Sequence, residues 1–283
     1  MNVRPAVFAM QGWYPLDAEE CRATLEQHRQ SFPGQPSGRC AGVVPHAGWA
    51  FSGRLAAWTF TALAAAEPEV VFLFGGHMLP GQRPVCMPEG AWGTPLGEVP
   101  VEAELAAALV ERFGCRRETA ERFEPDNTIE LQLPMLKFTW PRARVVAVQV
   151  PPEPQAMQMG AWAAEQAEQR GLRAVAIGST DLTHYGPHYG FTPKGSGQEA
   201  LRWAKEENDK PLIGLLEQLR IDEAVEHALS ERSACCPGAA GAAAHFARAC
   251  GAERGRLIEH TTSHDIAPRG EPQMWVGYAG IVY

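Results

Sequence analysis

Apolar positions in this chain fall into two rhythms. Short, nearly unbroken runs of Val, Ile, Leu, Phe and Ala occur from Ala41 to Val44, Glu69 to Gly75, Arg144 to Val150 and Arg173 to Ser179. Runs of this length, bounded by Gly, Pro or polar residues, predict strands buried on both faces, as in a parallel sheet. Between them lie stretches with helical spacing, from Asp17 to Gln30, Gly53 to Ala66, Val101 to Phe113, Thr128 to Phe138 and Gln155 to Arg170. Strand and helix in alternation predict right-handed crossovers and helices on both faces of one sheet.

The rest of the chain fills out that plan. Met78 to Pro100 is too rich in Pro and Gly for a long regular element and predicts a loop beside the end of the second strand; Gly186 to Gly197 predicts another. Gln198 to Arg232 reads as helix in two or three pieces, broken at Pro211. The small residues from Pro237 to Cys250 predict a helix packed closely on its neighbours, and two strands, Arg256 to Ser263 and Met274 to Tyr283, close the fold. No linker or repeat divides residues 1–283. The expectation is a single α/β domain with a central, mostly parallel or mixed sheet flanked by helices.

Composition narrows the function classes. The 283 residues carry 33 acidic against 25 basic side chains, a net charge of −8 with no basic cluster, which disfavours a nucleic-acid partner. No apolar stretch approaches the roughly 20 residues that span a bilayer, and the first residues lack a secretory pattern, so a cytoplasmic protein without a membrane partner is expected. The seven cysteines include no C-x-x-C pair and predict neither a disulfide framework nor a zinc finger.

Candidate chemistry gathers where the strands end. His46 follows Val43-Val44-Pro45, His77 follows Gly75-Gly76, and Asp181 and His184 follow the run that ends at Ser179. In an open α/β sheet, side chains beyond the carboxyl ends of the strands converge although they are distant in sequence. Neutral imidazole is the commonest metal ligand, and two of them at what read as neighbouring strand ends favour a metal over two helix caps. An anionic third ligand has three sources: Glu130, Asp181 or the thiolate of Cys235, which lies at a helix start that favours the anion. Cys236 is the less favoured of the adjacent pair. Asp181, three residues before His184, is placed to orient that imidazole as an acid or base. Asn127 and Glu130, in a helix start capped by Asp126 or Asn127, are expected to face the cleft, with Trp49, Phe51 and Trp92 as apolar walls. No nucleophile elbow, Walker loop or dinucleotide fingerprint is present, and the adjacent Ser263-His264-Asp265 cannot form a triad.

Taken in order, Pro45-His46-Ala47-Gly48-Trp49 with Ser52-Gly53, Gly76-His77, Asn127 to Pro134, Ser179 to Gly186 and Ala234-Cys235 resemble the Memo family, over nearly the whole chain. The resemblance implies a fold like that of the class III extradiol, ring-cleaving dioxygenases. It assigns His46, His77 and Cys235 to metal-binding positions, with Asp181 and His184 in the same pocket. Two departures stand out. Asn127 replaces a histidine common in that family, and an amide exchanges no proton near neutral pH. Cys236 stands where a glycine commonly follows the cysteine.

The resulting expectation is a non-heme enzyme, with iron(II) held by His46, His77 and Cys235, that acts with dioxygen on a small aromatic diol or aminophenol. His184 and Asp181 would then handle protons. Thiolate in place of the usual carboxylate softens the site and also suits copper or zinc. Two other classes stay open: a non-catalytic binder of iron, copper or a ligand, and a zinc-assisted hydrolase.

Overall fold

The computed structural model describes residues 2–283. Its core is a nine-stranded mixed sheet in which four parallel strands run side by side in the order Ala41–Val44, Ala174–Ser179, Val70–Gly75, Arg144–Gln149. All four are almost wholly buried, as their unbroken apolar runs require. Trp275–Val282 adds antiparallel to the Ala41–Val44 edge and carries Arg256–Thr262 and His184–Tyr185 antiparallel in turn. On the other edge Val85–Cys86 pairs with Arg144–Gln149, and Arg116–Arg117 pairs with Val85–Cys86.

The strand order corrects one expectation. The strands that precede His46 and His77 are not neighbours; Ala174–Ser179, the latest of the four in sequence, is inserted between them. Register places Val44 beside Ser179 and Phe74 beside Gly178, so all three chains leave the sheet at the same level.

Helices cover both faces. Trp49–Ala62 lies on one, where a side chain at Gly42 would run into Thr59. Pro237–Ala249 lies on the other, so close that a Cβ at Gly178 would collide with the Ala239 carbonyl, and one at Gly160, in helix Pro154–Gln169, with that of Ala242. The small residues of Pro237–Ala249 therefore permit backbone-to-backbone approach, and the helix start, with Cys235 just before it, is held against the sheet.

Three regions depart from the predicted elements. Thr128 to Phe138 is two short helices, Asn127–Glu130 and Leu133–Thr139. The Pro- and Gly-rich stretch contains Val85–Cys86, Ala91–Trp92 and Val99–Pro100, the last two forming a small sheet with Val3–Arg4. Pro211 does not break its helix. Gln198–Trp203 runs through a π-helical segment, Ala204–Asp209, into Lys210–Glu217, and Pro211 follows directly on the π segment, where the hydrogen-bond ladder already changes register and a missing N–H is accommodated. Among the described residues, no helix is long and apolar enough to cross a membrane.

Candidate metal centre

His46, His77, Cys235 and Cys236 place their donor atoms within 4.8 Å of one another at the carboxyl end of the parallel strands. Each arrives by a different local device. Pro45 ends the first strand and His46 follows fully buried, its backbone N–H donated to Asp181 Oδ1 at 2.7 Å. Gly76 adopts φ +97°, and a Cβ there would strike Gln149, so only glycine makes the turn that presents His77. The Gly76 N–H is taken by Thr128 Oγ1 at 2.7 Å, and Thr128 in turn bonds Asp126, the N-cap of the short helix beside it. Cys235 is positioned by its backbone N–H on the Asp181 carbonyl at 3.2 Å.

The contacts between these groups favour a cation. His46 Nε2 lies 3.3 Å from Cys235 Sγ, while its Nδ1 faces Ser179 Oγ at 3.1 Å. A ring held by a hydrogen bond at one nitrogen offers the other to a metal, and Ser179, itself bonded by Gln132, is that orienting partner. The His46 and His77 rings meet edge to face at 5.0 Å. Cys235 Sγ also accepts the Asp181 N–H at 3.3 Å. Two metal bonds of about 2.0–2.3 Å span little more than 4 Å, so donors this close need only small side-chain rotations to share one ion.

Charge in the cluster is balanced by protons. Burial disfavours charge on His46, yet the Asp181 carboxylate and the Cys235 sulfur outweigh it and raise the ring to about 9. Burial also opposes a Cys235 thiolate, but hydrogen bonding from Cys236 and the two imidazoles, His46 and His184, hold its pKa well below the ordinary thiol range. The Cys236 thiol, buried beside that sulfur, is pushed the other way.

Asp181 and His184 reach the same place by a different path from the helical turn expected. Residues 180–183 form no helix, and His184 begins the short strand paired to Val276. Even so, His184 Nε2 comes within 3.8 Å of Asp181 Oδ2, the same oxygen that lies 3.9 Å from His46 Nε2. These are charge contacts and too long for hydrogen bonds. His184 Nε2 is buried with no hydrogen-bond partner, an orphaned donor or acceptor at the edge of the cluster. Burial works against its charge, and Asp181 and Cys235 raise its pKa to about 10.

Other expected pocket residues are distributed differently. Asn127 Nδ2 donates to the His46 carbonyl at 3.1 Å, so it braces the ligand loop. Glu130 turns away from the cleft. It is buried, and its carboxylate accepts Val7, Phe8 and Ala9 N–H groups and the Tyr14 hydroxyl, tying down the N-terminal segment. Trp49 is core, stacked on Tyr14 with its indole N–H on the Leu131 carbonyl. Phe51 is exposed, and Trp92 packs against the Arg4 guanidinium. The cavity of about 390 Å³ beside Cys235 and His184 is walled instead by Met78, Leu79, Leu182, Tyr189 and Leu229, with Arg232 at its side. Tyr189 packs edge to face on His184 at 4.9 Å, and Arg232 holds that loop through the Tyr189 and Gly190 carbonyls. None of these has a local sequence signal. Cys236 did, as half of an adjacent cysteine pair.

Comparison with known proteins places the chain in a family. The family model for Memo-like proteins matches residues 4–282. A MEMO1 family protein of Methanopyrus kandleri is 34% identical over 300 residues, covering 100% of this chain and 99% of its own. One from Pyrococcus abyssi is 31% identical over 295 residues, covering 97% of each. A crystal structure of an uncharacterized protein from Escherichia coli K12 aligns with TM-score 0.45 and 12% identity, covering 86% of this chain and 99% of that one. Two relatives above 30% identity across their length, together with a family match from end to end, identify this chain as a member of the Memo family.

Proposed function

We propose that the chain is a metal-dependent enzyme that oxidises a small aromatic diol or aminophenol with dioxygen, with iron(II) held by His46, His77 and Cys235. The observation that carries this reading is the convergence of two imidazoles and a low-pKa thiolate, with the thiolate and a further imidazole, His184, lining one cavity. A redox-active ion with open positions supplies the chemistry of bringing an electron-rich diol and dioxygen together. The chain's residues supply the rest. Ser179 orients His46, Asp181 balances the charge of both imidazoles, and His184, held as the cation by Asp181 and Cys235, is placed to give a proton to a substrate oxygen that gains charge in the pocket. Met78, Leu182 and Tyr189 form the apolar part of the cavity wall.

A second reading, a non-catalytic site for copper or zinc, draws on one specific feature. Cys236 Sγ is a fourth donor within reach, and four protein ligands including two sulfurs suit a thiophilic ion and leave no open position. Elemental analysis of protein purified without oxygen, followed by oxygen uptake with catechols and aminophenols, separates these. Stoichiometric iron with substrate-dependent uptake supports the oxygenase reading. Copper or zinc without uptake favours the binder, and zinc with ester or amide turnover favours a hydrolase.

A further inference from the structure

The cavity beside Cys235 and His184 shares one wall with a neighbour. Pro152 and Leu229 line it and also line a second, larger groove of about 600 Å³, whose floor is Pro154, Met157 and Val225. A cavity of about 150 Å³ is enough for one benzene ring, so even the first chamber exceeds a bare diol and the two together exceed it severalfold. Leu229, at the lip between them, is 46% exposed, one of few large apolar side chains left in solvent. Charge in the groove has one sign: Glu153, Asp222 and Glu226 border it, with no basic residue.

We infer that the substrate is a diol or aminophenol bearing an apolar tail without an acid group, with its ring in the chamber beside Cys235 and His184 and its tail across Leu229 in the Met157–Val225 groove. This rests on the proposed metal-dependent reading and adds the substrate class to it. The apolar floor gives the tail a place to leave water, and the three carboxylates repel one that ends in an acid.

The test is calorimetric titration of anaerobic, iron(II)-loaded protein with catechol and with 4-alkylcatechols from methyl to hexyl. Affinity is expected to rise about two- to fourfold per methylene. In Ser230→Trp, an exposed position on the groove that is outside the metal chamber, catechol should bind as before while the gain from chain length disappears. In Leu229→Glu the long-chain compounds should lose their advantage. Catechol binding without a chain-length gain, or a gain that survives both substitutions, overturns the inference and leaves the diol reading standing. Failure of the loaded protein to bind catechol and every alkyl derivative overturns both.

Discussion

Asp181 accepts the backbone N–H of His46 at 2.7 Å across 135 positions of chain, and the other oxygen of the same carboxylate faces the imidazoles of His46 and His184. One buried carboxylate thus fixes the path of the first ligand loop and sets the charge on two rings. Asp181→Ala should leave that buried N–H unpaired, costing about 1–3 kcal/mol of stability, and weaken metal binding about 10- to 100-fold. Asp181→Asn, which preserves the acceptor, should recover most of the stability and little of the affinity. Chemical denaturation and chelator competition on both variants check this; affinity restored to the wild-type level in Asp181→Asn would remove the electrostatic role.

The three histidines should separate by function. His46→Ala and His77→Ala are expected to lose most bound metal, whereas His184→Ala keeps it and loses any turnover. His77 is exposed and His46 is buried, so only His46→Ala should also lower the melting temperature of the metal-free protein. Metal content by elemental analysis decides the matter: full occupancy in both His46→Ala and His77→Ala would dismantle the site.

The pH dependence has a definite sign. His46 and His184 are raised above 6.5, to about 9 and about 10, so the stability they give the metal-free fold is fully present below pH 6.5 and fades as pH rises through 9 to 10. A metal on His46 needs the neutral ring, so binding releases a proton and tightens with pH, by up to tenfold per unit, until about pH 9. The difference in melting temperature between loaded and metal-free protein should therefore widen from pH 7 to pH 9. A constant or shrinking difference would contradict the imidazolium–thiolate arrangement.

Glu130 has a structural duty that can be isolated. Glu130→Ala removes the acceptor of three backbone N–H groups and one hydroxyl, and should cost about 3 kcal/mol. Metal stoichiometry should be unchanged. Hydrogen exchange at Val7, Phe8 and Ala9 should accelerate; protected amides there in the variant would show that the carboxylate does not anchor the segment.

Much of this protein was legible in one dimension because it follows from local rules. Unbroken apolar runs made buried strands, the small residues after Pro237 made a helix that touches backbone, and histidines just past strand ends announced a crevice. The family motifs singled out the same His46, His77 and Cys235 whose donor atoms the fold brings together. What no spacing could reveal was which strands become neighbours. Inserting Ala174–Ser179 between the other two depends on the relative packing of whole helices, and it puts Asp181 between His46 and His184. The same limit explains Glu130 and Trp49. A carboxylate in the first turn of a helix and an indole after a glycine look alike whether they face a cleft or a docked segment, and only the docking of the N-terminal segment against them, through the Phe8 N–H and the Tyr14 ring, sends both into the interior. Local sequence chose the elements and the donor types; the tertiary fold chose which of them meet, because contacts across more than a hundred residues are set by the packing of the entire sheet and its helices.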